Sequence, residues 1–521
     1  MKRIFGLACG FLLVAVTGVA LVGSGCSDGD SPSSELDLNT VSDQGQDITS
    51  DTTPDIGDEQ PVPDVGEDEV SDLSEESDES GFEEPEVEEQ DDSLITELRA
   101  VPNPANHLSY FVDYTTADAI ETNLVVECDG IQQAVITSED ADTAHSVFVM
   151  GLWPGAQCDL HAQYLAPGAV DVDTISVQPG PMPSDYPDLT VSVEDGDRMQ
   201  SGWTLVNLTN AFDGIPLRIA IFDEQGRYRW YHQRATTAPG SDTDVRTIDE
   251  GIIISGTAAP QTLPAIVDWQ GSTVWEMDVV AHHDIRYDEE SEEILMLGLN
   301  DGSACDQMLS SNNFSAFDRV TKTMTWTWDT CAHYEPNVTP RNDYDHLNTI
   351  ARQPGTDRYL LSARNMESLM LVDRSDGSLL WRMGPDGDFT FLQSDGEPSA
   401  VFRQQHAPEW ESNGRILMYD NAGGTGGGAR ALELEYDELT MTVWATWVWE
   451  PETPIIAPIW GDADRQPNDN VLICFGQRST SVQTRLVEVT SDGDIVWDAT
   501  LPLRWGAYRA ERTSPRFGFS L

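Results

Sequence analysis

Residues 370–381 read MLVDRSDGSLLW, an apolar strand, a tight turn carrying Asp376 and Gly377, and a second apolar strand that closes on Trp381. The turn residues sit where a hairpin needs positive φ, so the phrase predicts two antiparallel strands. Working outward, the chain repeats it loosely: AIFDEQGRYRW closes on Trp230, AIVDWQGSTVW on Trp275 and SAFDRVTKTMTW on Trp326, and further copies close on Trp444 and Trp497. The spacings between the six Trp positions are 45, 51, 55, 63 and 53 residues, the length of a four-stranded propeller blade with longer loops. Six copies predict six blades, with each Trp packing between neighbouring sheets.

Upstream, residues 94–182 hold short alternating strands such as LSYFVDYTT and HSVFVMGLWPG, divided by turn signals. They predict a small β-sandwich of immunoglobulin or fibronectin type. The Pro/Gly run at 178–187 marks its end. The fold class expected is therefore all-β: a six-bladed β-propeller over 183–521 preceded by that sandwich.

The 521 residues carry 91 acidic and 28 basic side chains, a net charge of −63. Residues 27–92 hold 26 of the acids and no Lys or Arg. With few large apolar side chains to bury, residues 26–93 read as a disordered, self-repelling tether. The remaining body is still strongly negative, which excludes nucleic acid as a partner. Lys2 and Arg3, the apolar run Ile4–Val22 and the phrase GSGC are laid out as an export signal over residues 1–25. Cys26 after small residues resembles the acylation site of bacterial lipoproteins, with Gly23 departing from the usual Leu or Val. A lipid anchor in the bacterial cell envelope is expected, and Ser27 favours the outer membrane, on its periplasmic face or at the cell surface. Cysteine usage agrees with an oxidising compartment, predicting the disulfides Cys128–Cys158 and Cys305–Cys331 and a buried free thiol at Cys474.

Histidine is scarce, nine in all, yet four fall at one register: His282 and His283, His346, and His406, each 10 to 13 residues before an apolar strand. These are equivalent positions of blades three to five, expected at the start of the innermost strands, so residues far apart in sequence would converge at one mouth of a central channel. Arg364 ends the strand after His346 and should approach the same axis. Three imidazoles and a guanidinium form a local anion site on a negative protein. Hydrogen-bonded structural histidines and a three-His zinc site are the competing readings. Arg364 would set a cation beside any metal, and no metal is expected.

The phrases HHDI at 282–285, DHLNTI at 345–350 with SARN at 362–365, GSLLWRMG at 377–384, and QQHAPEW at 404–410 followed by GRILMYDNAG resemble the PAPS-independent arylsulfate sulfotransferases. That resemblance implies a sulfuryl transfer from an aryl sulfate donor to a phenolic acceptor, without a cofactor. It implies His406 as nucleophile, with His346 and one of His282 and His283 holding sulfuryl oxygens and handling protons. Asn348 and Arg364 would complete the oxyanion clamp. Of the two adjacent histidines His283, directly before Asp284, is favoured, and since neighbours on a strand face opposite ways the choice between them stays open. Tyr344, Phe402 and Trp460 are candidates for holding the aromatic ring. A non-catalytic binding propeller on the envelope and a metal-dependent hydrolase or lyase stay open as alternatives, as does the oligomeric state.

Overall fold

The computed structural model describes residues 93–521 apart from 211, 235–242, 259–260, 300–311, 335–342, 394–395, 397–401, 423–426 and 478. The export signal, Cys26, most of the acidic tether and Cys305 lie outside the described residues. Among those described, strands dominate and a single helical turn, Thr330–His333, interrupts them.

Downstream of residue 190 the strands form a series of mainly antiparallel sheets of four or five strands, with one parallel pair, Thr390–Leu392 on Thr442–Trp449, and one two-stranded ribbon. Their middle strands are buried on both faces: every residue of Trp203–Asn210, Ile416–Asp420 and Val471–Phe475 is buried. Runs such as Ile-Leu-Met-Tyr therefore do not alternate, because both faces of these strands are covered. One edge strand from each sheet is labelled in chain order: β1 (Val245–Ile248), β2 (Ala281–Asp288), β3 (Leu347–Arg352), β4 (His406–Trp410), β5 (Asp462–Arg465) and β6 (Ala510–Thr513). The last of these joins strands Trp203–Asn210, Ile215–Phe222 and Tyr228–Gln233, so the end of the chain completes the sheet that begins this region. Reciprocally, Thr190–Glu194 pairs with Ile495–Thr500 at the outer edge of the sheet of β5.

The repeated hairpins form as their sequence dictates. Gly377 has φ 75°, and the residues at the matching turn position, four before a Trp, are Gly226, Gly271, Lys322 and Gly493, all with positive φ. Lys322 takes the left-handed conformation with a Cβ, at a cost of about 1 kcal/mol relative to glycine. In each hairpin the ladder also slips by one residue, as between Leu371 and Val372. These bulges increase strand twist where the outer strand begins.

Indole N–H groups join each sheet to the hairpin of the next. Trp230 donates to the Trp269 carbonyl (3.0 Å), Trp275 to Arg319 (2.9 Å), Trp328 to Gly377 (3.1 Å), Trp381 to the Glu438 carboxylate (3.0 Å), Trp449 to Gly493 (3.1 Å) and Trp497 to Glu224 (2.8 Å). Two members of the expected Trp series are corrected here. Trp328 and Trp449 make the joint, whereas Trp326 and Trp444 are only partly buried. Alternate residues share a strand face: in WTW the last Trp reaches the neighbouring turn, and in WATWVW both Trp449 and Trp447, which donates to the Ser491 carbonyl (3.1 Å), do so. Trp497→Phe removes one such bond and part of a fully buried ring, and is expected to lower unfolding free energy by about 1–3 kcal/mol. Urea unfolding followed by tryptophan fluorescence measures it, and an unchanged midpoint would rule the joint out as a stabilising contact.

Residues 93–182 supply seven strands of two further four-stranded sheets that share one apolar core, with Val112 and Val147 from one and Leu124, Val126 and Leu160 from the other. The Cys128–Cys158 disulfide joins directly paired residues in the second. Cys331 is also disulfide-bonded, its expected partner Cys305 lying outside the described residues. Cys474 is a buried free thiol. The closing strand Gly518–Ser520 returns to pair with Asp142–Val149, so Ser93–Leu521 is one compact unit.

Candidate active site

The histidine phrases lie where strands β2, β3 and β4 begin, and the same distortion occurs at all three. The ladder slips between His282 and Ile285, between Leu347 and Thr349, and between His406 and Glu409. His283 (φ 59°), His346 (φ 46°) and Ala407 (φ 48°) are left-handed, as are Asp343, Gln404 and Trp460 nearby. Left-handed residues with side chains, gathered at one place, mark a strained backbone that the surrounding contacts hold in place. A bulge re-aims side chains that strict alternation would send to opposite faces. His282 and His283 consequently lie ring to ring at 4.6 Å.

The edge strands are stitched together by buried side chains. The Asp284 carboxylate accepts the Ile350 N–H (2.8 Å), linking β2 to β3, and Thr349 Oγ1 accepts the Ala407 N–H (3.0 Å), linking β3 to β4. Arg509, just before β6, donates to the Asn348 carbonyl (2.8 Å) and Thr349 Oγ1 (2.9 Å) and pairs with Asp244 (3.3 Å) and Asp284 (3.5 Å). Asn207 Oδ1 accepts the Tyr508 N–H (2.7 Å). Edge strands β2 and β3, the residue preceding β1 and the first sheet thus meet at Arg509 and Tyr508. Gly506 permits this approach: a Cβ there would stand 2.4 Å from the Gln477 carbonyl and 2.6 Å from the Trp460 ring.

The histidines differ in environment. His406 is 2 % exposed, and its Nδ1–H donates to Asn421 Oδ1 (2.7 Å). The orientation of that amide is fixed because Asn421 Nδ2 donates to the carbonyls of Ala457 (2.7 Å) and Trp460 (2.8 Å). The His406 proton is therefore on Nδ1 and the lone pair on Nε2. Burial, then the positive charge of Arg364, hold this imidazole well below its ordinary pKa against the opposing Asn421 hydrogen bond, so it is neutral. His283 packs on His346 at 4.7 Å and on Tyr508 at 5.7 Å, and burial followed by the neighbouring imidazoles likewise keep it neutral. Its Nδ1 is buried without a hydrogen-bond partner. His282 accepts at Nε2 from Asn312 Nδ2 (3.0 Å), whose Oδ1 accepts the Leu347 N–H (2.6 Å).

His346 is different again. Its side chain is 22 % exposed, and Nδ1 is hydrogen-bonded to the Asp343 carboxylate. The SARN turn holds this loop. Arg364 N–H donates to the His346 carbonyl (3.1 Å), Asn365 N–H to that of Asp345 (3.2 Å) and the Asn365 amide to that of Asp343 (2.8 Å). The Asp345 carboxyl, pushed up to about 7 by burial, accepts the His346 N–H (2.9 Å).

The structure thus brings His283, His346 and His406 together, with Arg364 acting electrostatically on His406. The Arg364 guanidinium also donates to the Pro458 carbonyl (2.9 Å) and to Asn365 Oδ1 (2.8 Å). Asn348 lies beneath, its amide donating to the Gln405 carbonyl (2.8 Å). Of the ring-holding candidates, Trp460 is beside the cluster, 6.3 Å from Tyr508. Tyr344 is buried near Asp345, Tyr334 and Asp329, and burial raises its phenol pKa. Phe402 is in the apolar core, 5.7 Å from Phe391, among Leu432 and Leu434. Its chain distance of four residues from His406 suggested the pocket, but it precedes the bulge and points with the core.

Sequence reasoning missed Tyr508, Arg509, Asn421 and Asp343. Asn421 stands at the register of Arg364, one residue past the strand that comes after a histidine phrase, and that equivalence was the available signal. For Tyr508 and Arg509 the signal was a short final strand after Trp497 with no hairpin of its own. Among the described residues no group of three or more His, Cys, Asp or Glu side chains is arranged to hold a metal ion.

A protein-family model described as Arylsulfotransferase (ASST) matches residues 190–509, a span containing every residue of this cluster. No curated protein sequence matches the chain. Solved structures similar to it include a protein of unknown function from Bacteroides caccae, 13 % identical, which covers 60 % of this chain and 98 % of that one at a TM-score of 0.39. An auxiliary nutrient binding protein from Bacteroides ovatus is 11 % identical, covers 78 % and 90 %, and has a TM-score of 0.33. AztD from Citrobacter koseri is 10 % identical, covers 75 % and 97 %, and has a TM-score of 0.26. Likenesses at TM-scores this low carry no weight for function.

Proposed function

The chain belongs to the arylsulfotransferase family, and on that premise we propose that it transfers a sulfuryl group from an aryl sulfate ester to a phenolic acceptor through a sulfohistidine at His406. The observation that carries the assignment is the fixed tautomer of His406: a buried, neutral imidazole whose Nδ1–H is held by Asn421, leaving the Nε2 lone pair as nucleophile. Sulfuryl transfer resembles phosphoryl transfer in its loose transition state, so positioning and charge stabilisation dominate. Arg364 offers a planar fork of donors to the sulfuryl oxygens, with Asn348 and His283 completing the clamp. His346, the more exposed imidazole, gives a proton to the departing phenolate and takes one from the acceptor.

The scaffold belongs to the same proposal. Six sheets joined hairpin to hairpin by indole bonds, with Trp497 donating to Glu224 of the first, support a closed six-bladed propeller whose edge strands surround the site. No nucleotide donor is required by this route. The test is steady-state kinetics of the full chain with 4-nitrophenyl sulfate and phenol. Nitrophenol release that depends on phenol, with parallel double-reciprocal lines, is the expected result. Intersecting lines would reject the covalent intermediate, and no release with any aryl sulfate would reject the activity.

A further inference from the structure

The Asp343 carboxylate is hydrogen-bonded to His346 Nδ1, in a loop held from three directions. The Asn365 amide fixes the Asp343 carbonyl (2.8 Å), the Arg364 N–H fixes the His346 carbonyl (3.1 Å), and the buried Asp345 carboxyl receives both the His346 N–H (2.9 Å) and the Asn312 N–H (3.0 Å). Both Asp343 and His346 are held at positive φ, 60° and 46°. A chain that adopts two left-handed non-glycine residues in four does so because surrounding contacts impose it. The two side chains are 28 % and 22 % exposed, whereas His283 and His406 are almost fully buried.

We propose that Asp343 is the positioning carboxylate of the general acid–base, acting through His346. The inference rests on the sulfuryl-transfer reading and assigns this chain a residue that reading leaves out. An ionised carboxylate is acceptor-only, so Nδ1 must carry the proton and Nε2 becomes the nitrogen that exchanges one with substrate. Burial pushes the Asp343 carboxyl up, but the His346 hydrogen bond and the charges of His346, His282 and Arg364 outweigh it and leave the group below the usual carboxylate range. Asp343 therefore stays an anion while the imidazole cycles.

In the donor half-reaction the His406 Nε2–S bond forms as the bond from sulfur to the phenolate oxygen breaks, and His346 Nε2–H passes its proton to that oxygen. In the acceptor half-reaction the phenol oxygen attacks sulfur, its proton returns to His346 Nε2, and the N–S bond breaks. Asp343 keeps the imidazolium oriented and compensated in both directions. The groups facing His346 from other elements are His283 on β2, His406 on β4 and Arg364 after the next strand. All three are neutral or positive, and among the described residues Asp343 and the buried Asp345 of its own loop are the acidic groups beside it.

The test is Asp343→Asn in the full chain, with two donors that differ in leaving group. Phenyl sulfate, whose phenolate is the poorer leaving group, is expected to lose about 10²-fold in kcat/KM, and 4-nitrophenyl sulfate less than about 5-fold. The alkaline limb of the phenyl sulfate kcat/KM profile, where the general acid loses its proton, is expected to move to lower pH with the substitution. In a His346→Ala background Asp343→Asn is expected to add no further leaving-group dependence. Equal losses on both donors, or an undiminished effect in the His346→Ala background, would overturn the proposal. Imidazole ¹⁵N NMR reports the His346 Nδ1–H tautomer without any turnover. A tautomer unchanged by Asp343→Leu, which leaves no acceptor for Nδ1–H, overturns the positioning role even if activity falls, while an inactive wild type with the tautomer intact overturns the sulfuryl-transfer reading instead.

Discussion

Replacing His406 by Asn is expected to lower aryl-sulfate turnover by at least about 10³-fold, the scale on which removal of a covalent nucleophile falls. Asn preserves much of the side-chain shape and can still hydrogen-bond to Asn421, so the fold should survive while the attacking lone pair is lost. Intact mass after exposure to donor alone should show one sulfuryl addition in the wild type and none in His406→Asn. An adduct that persists in the variant would place the nucleophile elsewhere. The pH dependence comes from the neutral state of this imidazole. Burial and Arg364 hold His406 well below its ordinary value, so the nucleophile keeps its lone pair as pH falls through about 6.5, where a solvent-exposed imidazole becomes protonated. Loss of the donor half-reaction with a midpoint near that value would therefore not be assigned to His406.

Arg509→Met is expected to cost about 3–5 kcal/mol of stability, because removing one partner strands buried carboxylates. Arg509 is 3 % exposed and ties β3 to Asp244 and Asp284 while lying 5.0 Å from the Tyr508 ring. Burial pushes Asp284 up, but Arg286, Arg509 and Arg246 together hold it ionised far below the usual carboxylate range. Its folded pKa is depressed, so its contribution is present above the unfolded pKa of about 4 and is lost only as pH falls through the lower folded value. The difference between wild type and variant should accordingly persist through mildly acidic pH. Urea unfolding at pH 7 and pH 5 measures both; a loss below about 1 kcal/mol would show that Arg246 and Arg286 compensate.

The hairpin phrase at 370–381 was legible because turn chemistry is local: Gly377 in its left-handed turn and the one-residue bulge before Trp381 are decided within a dozen residues. The histidine register was legible for the same reason, since each phrase stands at a fixed distance from a recognisable strand. Which Trp of WTW or WATWVW reaches its neighbour was not, because the choice depends on where another sheet's turn lies. Phe402 shows the same limit. Four residues from His406 in the chain, it belongs to the core with Phe391, because the bulge at His406–Glu409 begins after it.

The sequence by itself determined that the chain is all-β, repeats a Trp-closed hairpin, bears histidines at one register and has the motifs of the arylsulfotransferase family. Those are properties of short segments, set by side-chain periodicity, turn residues and spacing. Tertiary structure alone decided the chemical state of the site. The proton position on His406 comes from Asn421, the pairing of His346 comes from the loop that the SARN turn clasps, and the joining of the edge strands comes from Arg509 near the far end of the chain. Tautomers, neutralised imidazoles and buried ion pairs arise from groups separated by up to hundreds of residues and brought within hydrogen-bond distance, where low dielectric makes each contact strong.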